Sequence, residues 1–152
     1  MTRLPKWPQP DVIRLGTRKW KLRREYVFYD EELQRLIVIP AGFIYDLASV
    51  PRVAWSLISP LDLGEIGALL HDWIYRHAGN IPYPRQPDGM ICNEEPYTRS
   101  EADDLFRRVM IHDEVKARHR RWAYTAVRVA GWQAWGKTEP VIEPVTPEEM
   151  VA

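Results

Sequence analysis

An α+β fold, a small antiparallel sheet from the N-terminal half packed against about three helices, follows from three features of the sequence. Residues 11–45 are rich in β-branched and aromatic side chains set between turn residues. Beyond Pro51 the apolar residues recur at helical spacing. Proline clusters at both ends, where neither segment can build a core of its own.

The strand-forming half reads in order. Asp11 to Leu15 and Trp20 to Leu22 predict short strands. Tyr26 to Tyr29 and Leu36 to Ile39 predict a pair joined by a polar connection of hairpin length that begins at Asp30. Pro40-Ala-Gly42 ends that pair, and Phe43-Ile-Tyr45 extends the sheet.

The second half is helical. Pro51 suits the first position of a short helical turn over Arg52 to Ile58. Asp62 is a candidate N-cap for a helix to about His77, with Leu63, Ile66, Leu70, Trp73 and Ile74 on one face. Residues 79–98 carry Pro82, Pro84, Pro87 and Pro96, which predicts a long loop of the kind that often serves function. A second helix begins near Ser100 and turns Ala102, Leu105, Phe106 and Val109 inward. A third spans about Lys116 to Trp135, with Ala123, Ala126, Ala130 and Ala134 along one side and Trp122, Val129 and Trp132 on an adjoining face.

The 152 residues fit one domain, residues 11–136, between an extended arm (1–10) and an acidic, proline-rich tail (137–152). Lys and Arg number 21 and Asp and Glu number 21, so zero net charge argues against a general nucleic-acid binder. The local cluster Arg118, Arg120 and Arg121 beside Trp122 then reads as a solvated helix face. No run approaches the roughly 20 apolar residues that cross a bilayer, and the N-terminus lacks the apolar stretch of a signal peptide. A single cysteine, Cys92, excludes an internal disulfide and a cysteine-rich zinc site. These features point to a soluble protein made in a reducing compartment.

Four positions carry candidate chemistry. Asp46 stands where a strand gives way to a turn, a common place for working residues. Asp46 and Ser49 equally suit the free backbone groups of that turn. His71 and Asp72 are adjacent on the first long helix, and imidazole and carboxylate are good ligands for zinc or manganese. His71 flanks the apolar stripe beside Gly67, which leaves room for a close neighbour or a ligand. Asp72 lies nearly opposite the stripe, where it can pair with Arg76 at i+4. A buried, hydrogen-bonded His71 without metal is the alternative. Asp103 shares a face with Arg99 and borders Phe106, from which it can reach His71. Two capping-box registers compete there, Ser100 with Asp103 and Thr98 with Glu101, and only the second leaves Asp103 free.

Four blocks in order carry a family resemblance: Pro40 to Phe43 with Asp46-Leu-Ala-Ser49-Val-Pro51-Arg52; His71-Asp72-Trp-Ile-Tyr75; Arg99 with Ala102-Asp103 and Phe106; and Tyr124, Ala126 to Arg128 and Gly131. Over roughly residues 20–135 the chain resembles the domain of unknown function 1353, found mostly in tailed phages and prophages. The resemblance implies a phage origin, synthesis in the host cytoplasm and no established activity. The segment Ala68 to Asp72 is also similar to the helix of HD-domain phosphohydrolases, although no histidine precedes His71 and this chain begins with strands.

Two functions fit. In the first, a metal-dependent hydrolase acts on cell-wall peptide or a phosphoester. His71, Asp72 and Asp103 hold a divalent zinc or manganese ion, Asp46 and His71 are catalytic, and Arg52 and Tyr75 orient substrate. In the second, the chain is a non-enzymatic virion component of the tail, baseplate or connector, and its arms bind neighbouring phage subunits.

Overall fold

The computed structural model describes residues 7–47, 50–56, 59–83 and 92–152. The architecture is α+β, as the sequence predicts. Strands β1 (Val12–Gly16), β2 (Lys19–Leu22), β5 (Phe43–Tyr45) and β6 (Val141–Ile142) form an antiparallel sheet in the order β1-β2-β5-β6. Between them in sequence, β3 (Tyr26–Asp30) and β4 (Arg35–Ile39) form a separate antiparallel pair. Trp20 pairs with Tyr45 and Lys21 with Ile44, so β2 and β5 run alongside each other across the whole β3–β4 excursion.

Three long helices follow, α1 (Glu65–Arg76), α2 (Arg99–His112) and α3 (Ala117–Ala130); α1 packs on β5 and α2, and α3 packs on α2. Helix α1 lies at the centre, and every residue from Ile66 to Tyr75 is buried. Its apolar side chains join Leu22, Ile37, Ile39, Phe43 and Leu105 in the main core. A smaller core under α3 contains Val50, Ala54, Phe106, Met110, Ala123 and Val127. The alanine side of α3 is thus its packed side at Ala123.

Several boundaries differ from the sequence expectation. Asp62 does not cap α1. It lies in a 3-10 turn (Pro60–Leu63) and accepts from Ser59 N–H, while Gly64, at φ 79°, precedes the helix. Helix α2 uses the Thr98–Glu101 box, which leaves Asp103 free. Helix α3 stops five residues short of Trp135 and continues as a 3-10 turn (Gly131–Gln133). A Cβ on Gly131 would stand 2.7 Å from Tyr75 Oη, so the chain passes too close to α1 for any larger residue. Asp30 is more than hairpin connection. It is buried, accepts from Tyr97 Oη at 2.9 Å and pairs with Arg108 at 3.0 Å. The short turn Arg52–Ser56 is helical as expected, of 3-10 type; Ile58, Ser49 and the loop segment 84–91 lie outside the described residues.

Residues 1–6 of the expected N-terminal arm lie outside the described residues, and both ends of the described chain pack on its own body. Trp7 stacks on His112 with ring centroids 3.8 Å apart, and Tyr26 Oη donates to Pro8 O. The C-terminal segment adds β6 to the sheet edge and ends in α4 (Pro147–Val151), capped by a Thr146–Glu149 box. Lys21 Nζ donates to Glu149 Oε1 at 3.0 Å and to Pro144 O at 3.1 Å; Arg23 donates to Glu149 O and Ala152 O. Pro140 and Pro144 bound the segment, but Val141 and Ile142 between them suffice for an edge strand.

Candidate functional site

Adjacent residues on a helix point about 100° apart, so His71 and Asp72 enter different surroundings. His71 Nε2 meets Asp103 Oδ1 at 2.8 Å, and Tyr75 Oη donates to the same oxygen at 2.5 Å. Tyr75 lies one turn beyond His71 on α1, which is why both reach one carboxylate on α2. The other oxygen, Oδ2, accepts from Arg128 Nη1 at 2.7 Å and Arg99 Nη1 at 3.4 Å. Arg99 also donates to the carbonyls of Val127 and Arg128, in the last turn of α3. Asp103 therefore joins three helices. The side chains of His71 and Asp103 are wholly buried. The space beside Gly67 is filled by Phe106, whose ring would lie 3.2 Å from a Cβ there. Burial draws the His71 imidazole below its ordinary pKa, against the hydrogen bond and charge of Asp103. Burial acts upward on Asp103, but the donors around it prevail and its pKa is lowered.

Asp72 faces a second cluster. Its Oδ2 accepts from Arg76 Nε at 3.0 Å, the i+4 pair expected, and Arg76 Nη2 donates to Asp46 Oδ1 at 3.0 Å. Arg76 Nη1 donates to Glu139 O as well. The Asp46 backbone N–H donates to Asp72. Burial raises the Asp72 carboxyl to about 6, opposed by the Arg76 charge. Through these bonds α1 fixes the turn after β5. That turn borders an open cavity of about 450 Å³ lined by Arg18, Lys19, Asp46, Leu47, Val50, Arg52 and Trp55. The cavity lies beside a backbone of unusual conformation: Leu47 is buried and has φ 60°, a left-handed angle rare for a branched side chain.

Residues 20–127 match the model of a family described as a protein of unknown function, DUF1353. The chain belongs to the DUF1353 family. No curated protein and no solved structure matches it. The matched region of this DUF1353 chain runs from β2 into α3 and holds Asp46, Arg52, His71, Asp72, Tyr75 and Asp103.

The six sequence-selected residues of the DUF1353 chain thus fall into two places. His71, Tyr75 and Asp103 meet in a sealed cluster. Asp46 and Arg52 line the open cavity, and Asp72 holds Asp46 from behind. Among the described residues, no group of three or more His, Cys, Asp or Glu side chains is placed to hold a metal ion. Arg18, Lys19 and Trp55 were not singled out by sequence. The signal that finds them is strand register: with Trp20 opposite Tyr45, the next step places Lys19 beside Asp46. That pairing spans the intervening hairpin and is invisible until β2 and β5 are known to be neighbours. Chemically, the sealed cluster can tie helices together, whereas the cavity can receive a ligand.

Proposed function

We propose that this DUF1353 protein is a non-enzymatic structural component of a phage particle, seated against a neighbouring subunit through the outer face of α3. One observation carries the reading. Trp122 and Val129, two turns apart on α3, and Trp132 in the 3-10 turn that follows are 37%, 70% and 59% exposed. The segment that carries them holds Lys116, Arg118, Arg120, Arg121 and Lys137, besides Arg128, which pairs with Asp103, and has no acidic residue between 115 and 138. Two copies meeting by this face would oppose like charges. The fitting partner is a different subunit with an apolar patch edged by carboxylates. The closed state of the His71–Asp103 cluster supports the same reading, since a hydrolytic site needs its reacting groups within reach of substrate. The C-terminal segment, paired with the sheet edge and with Lys21 and Arg23, is already occupied by its own chain, which favours α3 as the contact surface.

The test is mass spectrometry of purified particles from a host producing the phage. The expected result is this protein at a fixed copy number, lost from particles in a Val129→Glu/Trp132→Glu double variant that folds normally. Particles that lack the wild-type protein, or that retain the double variant in full, overturn the proposal.

A further inference from the structure

We propose that the cavity beside Asp46 is a binding site for a small organic phosphate, with the phosphate held by Arg18, Lys19 and Arg52 and the organic body against Trp55, Leu47 and Val50. Three cations line the cavity from two separate segments, Arg18 and Lys19 where the β1–β2 turn enters β2 and Arg52 in the turn after Pro51. None of the three forms an ion pair with a described carboxylate. Asp46, the cavity's acidic residue, already shares its charge with Arg76. The cavity therefore presents surplus positive charge to any anion that enters it, in a recess where field lines are focused. Guanidinium groups suit phosphate oxygens because their planar donors form paired, charge-assisted hydrogen bonds, and lysine adds a point charge. A dianionic phosphate matches three cations better than a monoanionic carboxylate does.

The rest of the wall is apolar. Leu47 and Val50 are buried, and Trp55 is partly exposed with Arg18 Cζ 5.2 Å from its ring centroid. Such a mixture, apolar lining with a few convergent polar groups, suits a ligand with an anionic head and a compact body. The wall is also held in place. Val50 N–H donates to Leu47 O at 2.9 Å, and Asp72 accepts from Asp46 N–H. These bonds fix the left-handed Leu47. A prearranged wall lowers the ordering cost of binding.

The experiment titrates the full chain with inorganic phosphate and with phenyl phosphate at constant ionic strength. The Trp55 indole N–H resonance, assigned by Trp55→Phe, is followed by NMR. The expected result is a saturable shift, with phenyl phosphate binding more tightly than inorganic phosphate. Lys19→Ala and Arg52→Ala should each weaken phenyl phosphate about tenfold, a change worth about 1.4 kcal/mol. Arg120→Ala, on α3, should leave it unchanged. A shift that rises linearly without saturation overturns the site. So does equal weakening by Arg120→Ala, which would mean general charge attraction, or equal affinity for the two phosphates, which would remove the apolar wall from the site. Saturation by a short single-stranded DNA at far lower concentration than phenyl phosphate would assign the cations to nucleic acid and overturn the small-ligand reading. The particle assay and this titration are independent, so either can fail alone.

Discussion

His71 Nε2 lies 2.8 Å from Asp103 Oδ1, and neither side chain has any solvent exposure. The two residues are 32 positions apart, on helices α1 and α2, which the Tyr75–Asp103 hydrogen bond also joins. An ionised carboxylate only accepts, so Nε2 carries the proton and His71 is the neutral Nε2–H tautomer. Tyr75, Arg99 and Arg128 donate to the same acidic group. The pair is best understood as the joint of α1, α2 and α3.

Asp103→Asn should be strongly destabilising. It removes the charge that balances Arg99 and Arg128 and sets an amide N–H₂ among donors. Breaking a buried pair by removing one partner costs about 3–5 kcal/mol, and that range is expected here. Urea unfolding of the variant against wild type measures it. A cost under about 1 kcal/mol would show that the cluster does not hold the helices.

The pH dependence of stability follows from the same joint. The folded pKa of His71 is lowered, so the unfolded chain binds the proton more readily. Stability from this group is present above the unfolded value of about 6.5 and is lost as pH falls through it. His77, also lowered by burial, acts with the same sign. Asp72 acts oppositely: raised to about 6, it contributes stability that is present at low pH and lost as pH rises through 6. His71→Gln keeps an N–H donor for Asp103 but cannot take up a proton. The variant should lose less stability than wild type between pH 7 and 5. Parallel stability curves for the two proteins across that range would contradict the assignment.

Local patterning carried much of this architecture, and long-range pairing carried the rest. The strand at Tyr26–Asp30 and the core face of α1 follow from side-chain periodicity, which depends only on near neighbours in sequence. The Asp72–Arg76 and Arg99–Asp103 pairs were readable as i,i+4 contacts. The approach of Asp103 to His71 was readable as well, because the capping register places it on the inner edge of α2. What sequence did not reveal depends on which distant segments meet. Burial of Asp72 requires α1 to be covered on its polar side, and the Arg76 bridge to Asp46 requires β5 to end there. The C-terminal strand was hidden for the same reason, since a two-residue strand has no period to read.

Gly42→Ala tests that C-terminal strand. Gly42 has φ 94°, and a Cβ there would stand 2.1 Å from the carbonyl oxygen of Glu143. Glu143 N–H also donates to Gly42 O at 3.0 Å. No small rotation relieves a clash with backbone, so β6 must leave the sheet edge. The expected result is loss of hydrogen-exchange protection at Glu143 and Ile44, with helix α1 still protected and a total cost of more than about 1 kcal/mol. Retained protection at both amides would mean that the strand tolerates the added carbon.

The α3 face should be separable from the fold. Val129 and Trp132 are mostly exposed and take no part in the buried core under that helix, which is formed by Ala123 and Val127. Trp122 differs, because its Nε1 donates to Ala54 O and its loss would disturb the Arg52–Ser56 turn. Val129→Ser and Trp132→Ser should therefore each change stability by no more than about 0.5 kcal/mol, the range usual for surface sites. If the face serves a partner with carboxylates around an apolar patch, the same variants should weaken capture of that subunit, while Arg118→Ala and Arg121→Ala should mainly slow association and reduce its salt dependence. A partner whose association rate is indifferent to salt would not be using these cations, and the apolar residues alone would then have to account for its binding.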